Sequence, residues 1–412
     1  MKKNLLFVHQ HYPAQFKHLA PALAKKYNVH SISLRNIESE GVTHHQYVVK
    51  RPTGKDTLDL AKEFEAKALR GLACADKAYE LKNSGFSPDL IVGHPGWGEL
   101  LYLKEVWPEC KMLSYLEFHY RLYDSDVDFD EEEQKGLNEI FLRRKLIGRN
   151  ATFLSQYEDS DYFITPTQFQ SNSFPDRIKK EINVIHEGID TDRFKPNKNL
   201  KVKIDEFNLL EEKKVILFVN RNLEPYRGYH IFMRSLPEIF KKHPDALVLI
   251  VGGEAVSYGK KPPEGKTYKN IFFDEVKNSI DEKRVKFLGY LKEHESLTAL
   301  MQSSTLQVYL TYPFVLSWSM LESLACELLV IGSNTGPVKE VITDKKNGLL
   351  VDFFDIKGIS DTVNRVLSDP EKYTDIAKQG RKTIIDNYDL NKVCLPKSIE
   401  LIEKILETKN GN

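Results

Sequence analysis

Lys214-Val215-Ile216-Leu217-Phe218-Val219-Asn220-Arg221-Asn222-Leu223-Glu224-Pro225-Tyr226-Arg227-Gly228 is the stretch on which the fold turns. Its apolar, β-branched run Val215–Asn220 reads as a strand, and the amphipathic pattern Tyr229–Lys242 behind it reads as a helix. A strand that shows no polar alternation is buried on both faces. That is the mark of a parallel sheet whose crossover helices cover it.

The same rhythm continues downstream with strands predicted at Ala246–Val251, Val285–Leu288, Leu306–Tyr309, Leu329–Gly332 and Leu349–Val351, and with a helix at Leu316–Cys326. From Ile356 onward the pattern is helical. Upstream, strands are predicted at Leu5–Val8, Val29–Leu34, Tyr47–Val49, Leu90–Gly93, Met112–Leu116 and Tyr162–Thr165, with helices near Phe16–Lys26, Leu58–Lys82 and Leu137–Gln156. The polar segment Thr191 to Lys214 has linker composition and separates the two series. The chain is therefore read as α/β, two doubly wound Rossmann-like domains facing each other across a cleft. They span residues 1–195 and 196–390, and a final helix over 391–412 packs back on the first domain. Ligands of such folds bind at the C-terminal edges of the strands.

Length and composition fit this reading. A chain of 412 residues suits two domains, and 41% hydrophobic residues supply a core for each. Lys+Arg and Asp+Glu are both 59, so no net field draws nucleic acid. Cys74, Cys110, Cys326 and Cys394 are far apart, with neither a CxxC pair nor a disulfide framework, which suits reduced thiols in a cytoplasm. The apolar run Leu5–Val8 is too short for a signal peptide, and no stretch is long enough to span a bilayer. Any membrane contact is peripheral; the basic cluster Arg143, Arg144, Lys145 and Arg149 fits anionic lipid or a solvated helix face equally well.

Several segments carry chemistry. Arg221 and Arg227 leave the end of a strand just before a helix, where guanidinium forks and a helix dipole together suit a diphosphate; solvated loop charges are the alternative. Glu322 is a lone carboxylate in an apolar helix start, so it needs hydrogen-bond donors such as vicinal ribose hydroxyls, or else caps a loop. In the first domain, His9-Gln10-His11-Tyr12-Pro13-Ala14 follows strand one, and the backbone at Pro13 and Ala14 is placed to meet a donor phosphate or sugar. His94-Pro95-Gly96-Trp97 and Glu117-Phe118-His119 end two later strands and are the acceptor-side candidates, with His94 and His119 standing equally for structural histidines. The acidic run Asp124–Glu133 begins like a calcium loop, but Phe129 and Lys135 occupy the positions that need Gly and Glu, so a solvated, mobile loop is expected.

These segments resemble the retaining glycosyltransferases of the GT-B fold, glycosyltransferase family 4. The hinge-like segment Val184–Pro196 and the blocks Gly336–Ile342 and Asn347–Val351 add to the likeness, which covers most of the second domain. The resemblance implies that Arg221 and Arg227 hold the donor diphosphate and that Glu322 holds the nucleotide ribose. The family's first motif glutamate falls on Phe314, expected as an apolar wall beside the sugar, with Val315 and Leu316 of the following turn contacting hydroxyls. Glu117 and His119 are the candidates that orient the reacting groups, and His94 and Trp97 those that bind the acceptor. The implied reaction moves a sugar from a nucleotide-diphosphate donor to a glycan, lipid-linked or small-molecule acceptor, with retention and with no metal or other cofactor. A nucleotide-sugar epimerase, a phosphorylase or a two-lobed sugar-binding protein would use the same architecture.

Overall fold

The computed structural model describes residues 2–136, 138–197, 200, 202–291 and 294–408. The chain forms two compact units, one comprising Met1–Asp128, Gln134–Glu187 and Asn391–Asn412, the other Phe129–Glu133 and Gly188–Leu390.

The N-terminal unit is built on β1 (Asn4–Val8), β2 (Asn28–Ser33), β3 (Val42–Gln46), β4 (Leu90–Gly93), β5 (Lys111–Tyr115), β6 (Tyr162–Thr165) and β7 (Ile182–Val184). All its pairings are parallel, in the order β3-β2-β1-β4-β5-β6-β7. Successive residues of β1 serve opposite faces, as the pleat demands. Leu5 and Phe7 pack with Phe16, Leu23, Ile402 and Ile405, while Leu6 and Val8 pack with Cys74, Ala78 and Leu81. The helix Leu395–Glu407 is thus part of this unit's core. Lys3 and Lys111 donate to its last carbonyls, at Leu406, and at Ile405 and Thr408, which places cations at the negative end of the helix.

In the C-terminal unit a small antiparallel hairpin, β8 (Lys203–Ile204) and β9 (Phe207–Asn208), precedes six parallel strands. These are β10 (Val215–Asn222), β11 (Leu247–Gly253), β12 (Val285–Gly289), β13 (Leu306–Tyr309), β14 (Leu329–Ser333) and β15 (Leu349–Val351), ordered β12-β11-β10-β13-β14-β15. Val215, Leu217 and Val219 face a core that holds Met320, Leu321 and Leu324. On the opposite face Phe218 stacks on Phe232 of the helix Tyr229–Lys242, with ring centroids 4.4 Å apart. Each fully buried aliphatic or aromatic side chain of this kind contributes about 1.5–3 kcal/mol.

The structure departs from the sequence reading at four places. The third strand is the polar segment Val42–Gln46 and not Tyr47–Val49; it pairs with β2 on one side only, an edge position that tolerates His and Gln, while Tyr47 turns inward to donate to Glu99 at 2.6 Å. The helix expected over Phe16–Lys26 is a short turn at Ala14–Phe16 followed by Leu19–Ala24. The division between the units falls at Glu187/Gly188 and not at 195/196, because Ile189 and Phe194 belong to the second core and Ile189 is hydrogen-bonded to Tyr388 and Leu390. The acidic run is no solvated loop: Ser125, Asp126 and Asp130 are buried, the Asp128 carboxylate accepts the N–H groups of Asp124 and Ser125, and Phe129–Glu133 belong to the C-terminal unit.

Candidate active site

In each sheet the chain reverses direction of strand addition once, between β1 and β4 and between β10 and β13. Such switch points leave a crevice beyond the strand ends where ligands bind. The loops after these four strands hold Pro13, Ala14, His94, Trp97, Arg227, Phe314, Val315 and Leu316, while Arg221 lies at the end of β10, Glu322 in the helix that follows β13, and Glu117 and His119 after β5.

In the C-terminal unit, the loop after β10 closes in a tight turn at Pro225–Arg227, followed by Gly228 at φ +67°. A Cβ on Gly228 would lie 2.2 Å from the Leu310 Cβ, so only glycine lets this loop lie against the one after β13. That approach positions Arg227. Its guanidinium, 8% exposed, donates to the Thr311 hydroxyl at 2.8 Å and to the Val315 carbonyl at 2.9 Å, and its Cζ lies 5.3 Å from the centre of the Tyr258 ring. Arg221 is exposed near the end of β10. Thr311 is itself anchored by Ser333 and Thr335, so the cation sits on a hydrogen-bonded scaffold that does not need a ligand to order it.

Between the two arginines in sequence lies Glu224, a residue that the motif analysis passed over. It is buried, accepts the backbone N–H groups of Ser257 and Tyr258 at 2.7 and 3.2 Å, and thereby fixes the loop after β11. Burial pushes its carboxyl up to about 7, against the opposing pull of those two N–H groups and of Arg227 and Arg221. Its position between two cations is the signal by which the sequence could have revealed it. Tyr226 and Tyr258 were also missed; both present half-buried rings at this loop.

Glu322 is buried in the helix Trp318–Ala325, whose start is capped by Ser317. Its charge, second to burial, pushes the neighbouring Cys326 thiol up to about 12. Val315 and Leu316 lie in the turn before this helix, where the Val315 carbonyl is committed to Arg227 and the Ser317 N–H to the Tyr309 hydroxyl. Phe314, expected as an apolar wall beside the sugar, is 2% exposed, its ring set against Tyr258 and Tyr226 at 4.9 and 5.8 Å.

In the N-terminal unit the register pairs Val8 with Gly93, which brings the next residues, His9 and His94, side by side with ring centroids 5.3 Å apart. His9 Nδ1 accepts the His11 N–H at 2.9 Å and His94 Nδ1 accepts the Gly96 N–H at 3.1 Å, so in the neutral rings the proton is on Nε2. His94 Nε2 points toward the Glu117 carboxylate, 3.5 Å away. Trp97 borders both His94 and His11, with centroids 5.9 and 6.1 Å away. Burial, with the charges of His94 and His11, holds His9 well below the ordinary imidazole range and keeps it neutral. Pro13 and Ala14 lie in the same loop, and Ala14 adopts φ +39°, a region that favours glycine.

His119 stands apart from this group, with both of its ring nitrogens engaged within the N-terminal unit. Its Nδ1 meets the Tyr157 hydroxyl at 3.0 Å, its Nε2 meets Asn150 at 3.3 Å, and its ring lies among Phe153, Tyr157 and Phe174. Burial, assisted by the Arg121 charge, lowers it to about 4. The alternation of strand-end positions made it look equivalent to Glu117, yet only Glu117 faces His94. Among the described residues no group of three or more His, Cys, Asp or Glu side chains is arranged to hold a metal ion, and no helix is long and apolar enough to cross a membrane.

Two parallel α/β units, each with a polar loop cluster at its switch point, define the class of GT-B glycosyltransferases. Comparison with known proteins agrees. Residues 25–194 match the model described as "Glycosyl transferase family 4 group" and residues 200–383 the model "Glycosyl transferases group 1". The chain belongs to the family 4 glycosyltransferases. It is 24% identical to the spore coat protein SA of Bacillus subtilis over 91% of this chain and 90% of that protein. It is 28% identical to the GDP-mannose-dependent alpha-(1-6)-phosphatidylinositol monomannoside mannosyltransferase of Mycolicibacterium smegmatis over 60% of each chain. Its fold is similar to that of the sucrose-phosphate synthase of Thermosynechococcus elongatus, with a TM-score of 0.71 at 16% identity over 99% of this chain and 100% of that one. The Anabaena HepE protein in complex with UDP-glucose gives a TM-score of 0.70 at 15% identity over 97% and 99%.

Proposed function

We propose that this glycosyltransferase moves a sugar from a nucleotide-diphosphate donor, bound by the C-terminal unit, to an acceptor recognised by the N-terminal unit, with retention of configuration and without a metal ion. The observation that carries this reading is Arg227, a guanidinium fixed in advance by Thr311 and Val315, with Arg221 exposed at the end of the preceding strand. A departing diphosphate develops negative charge, and cations already held in place stabilise it without reorganisation. HepE has been captured with UDP-glucose, and the mycobacterial relative is named for GDP-mannose, which supports a nucleotide sugar as donor. The surface of neutral His9 with His94 and Trp97 suits hydroxyl groups, and Glu117 is placed to orient a reacting hydroxyl. Retention then proceeds with the leaving phosphate oxygen taking the acceptor proton, and neither unit needs a carboxylate nucleophile.

The deciding experiment is a screen of nucleotide sugars by thermal shift, followed by NMR assignment of the product anomer with and without EDTA. The expected product has the donor's anomeric configuration, and its rate of formation is unchanged by EDTA. An inverted product, or activity lost in EDTA and restored by magnesium or manganese, overturns the mechanism. Nucleotide release in the absence of any acceptor favours an epimerase-like reaction instead. Four buried free thiols support a cytoplasmic setting. The exposed Ile140, Ile147 and Leu154, seven residues apart on the helix that carries Arg143, Arg144 and Lys145, support peripheral contact with a membrane.

A further inference from the structure

The acidic segment that the calcium reading left without a role is docked on the C-terminal unit by its centre. Asp130 is 2% exposed, and one of its carboxylate oxygens receives the Tyr312 hydroxyl and lies 3.1 Å from His230 Nε2. The other accepts the N–H groups of Glu132 at 2.9 Å and Glu133 at 3.4 Å. Burial alone would raise this carboxyl; the bonds from His230 and Tyr312 more than offset it and hold it below the usual carboxylate range. Phe129 fills a pocket of Tyr312, Phe353 and Phe354, with centroids 5.0–5.1 Å away, and Glu132 pairs with both arms of Arg234 at 2.7 and 3.0 Å.

Tyr312 joins this segment to the donor-side loops. Its N–H donates to the Tyr226 carbonyl at 3.0 Å and its ring lies 4.6 Å from the Tyr226 ring, one residue before Arg227. Its neighbour Thr311 and the nearby Val315 supply the two oxygens that hold the Arg227 guanidinium. A buried carboxylate hydrogen-bonded to a tyrosine in the middle of that loop restrains the loop on both sides of the bond.

We propose that Asp130 is a positioning residue: acting through Tyr312, it fixes the loop 311–315 so that Arg227 is held in the geometry that receives the donor diphosphate. The proposal rests on the reading of Arg227 as the diphosphate-binding group. Neither Asp130 nor Tyr312 touches the reacting atoms. Both therefore act only through Arg227, on donor affinity and on its stabilisation of the departing diphosphate.

The test measures binding of UDP, GDP and ADP by calorimetry, followed by steady-state kinetics with the sugar donor of whichever binds best. Asp130→Asn and Tyr312→Phe are each expected to raise the nucleoside diphosphate Kd about tenfold and to lower kcat/KM by at least as much, and the double variant is expected to be no worse than either single one. Glu132→Ala removes the Arg234 pair from the same segment without touching Tyr312, and its affinity is expected to equal that of the wild type. Rescue is also expected: Asp130→Glu should recover part of the affinity lost in Asp130→Asn. If Arg227→Ala loses affinity while Tyr312→Phe and Asp130→Asn bind as the wild type does, the positioning role is wrong and the donor site stands. Equal weakening by Glu132→Ala reduces the segment to a general brace and overturns the role of Asp130. If Arg227→Ala itself binds normally, the donor-site reading fails and the proposal fails with it.

Discussion

The two switch-point clusters use the same topology for opposite electrostatics. In the loop after β10 a guanidinium is held by a hydroxyl and a carbonyl, and a second arginine is exposed near the strand's end. At the ends of β1 and β4 the polar groups are imidazoles, and His9 is kept neutral by burial. A fixed cation selects charge, whereas a neutral imidazole wall selects hydrogen-bonding pattern. On the proposed reading, one fold would separate a diphosphate from a sugar hydroxyl by what stands at equivalent strand ends.

The largest test of this contrast is Arg227→Ala, expected to lower kcat/KM about 100-fold or more and to weaken nucleoside diphosphate binding in parallel. Arg221→Ala, at an exposed position, is expected to cost about tenfold. If the two variants have equal kinetics, the distinction between a scaffolded and a solvent-facing arginine is lost. Next in size is Glu117→Ala, expected to reduce kcat about 30-fold with nucleotide affinity intact. His119→Ala should behave in the opposite way, losing about 3 kcal/mol of stability from its aromatic surroundings with kcat preserved in the folded fraction. A glycosyl adduct trapped on Glu117 would contradict front-side transfer.

Glu322→Ala is expected to raise donor KM about tenfold and to change kcat much less; a 2′-deoxyribose donor should lose comparable affinity against the wild type, and indifference to the 2′-hydroxyl removes the ribose role. The smallest effect is a pH dependence. Because the Glu224 carboxyl is raised from 4.5 to about 7, the folded protein binds more protons than the unfolded chain across that interval, and its contribution to stability declines as pH rises through it. Above that interval the ionised carboxylate also offsets Arg227 and Arg221, so donor affinity should fall a few-fold between about pH 6 and pH 8. Glu224→Gln should flatten both slopes. A nucleotide sugar is the ligand to use, because a free nucleoside diphosphate titrates in the same range.

The sequence carried the strands that are buried on both faces almost residue for residue, because an uninterrupted apolar run such as Leu306–Tyr309 has no other soluble use. It failed at the polar edge strand Val42–Gln46, where nothing but pairing with β2 makes the segment extended. The site shows the same divide. Arg227 could be singled out because a cation at a strand end has a local meaning, whatever ligand it proves to hold. Glu224 and Asp130 acquire theirs from partners distant in the chain, Ser257 and Tyr258 for one, Tyr312 and His230 for the other. His119 and Glu117 are two residues apart and could not be told apart until Phe153, Tyr157 and Phe174 closed around one of them.

Ile189 hydrogen-bonds to both Tyr388 and Leu390, so the chain enters and leaves the C-terminal unit at adjacent points. The stretch Gly188–Leu390 is therefore expected to behave as a cassette whose two ends lie close together, open to exchange with the corresponding stretch of a relative while the host sheet and its last helix stay whole. The exchange carries one condition. The cassette's surface is completed by Phe129–Glu133, which is encoded far upstream. A chimera that moves residues 188–390 alone would pair Tyr312, Phe353 and His230 with a foreign segment, so the compatible unit of recombination consists of two pieces of sequence.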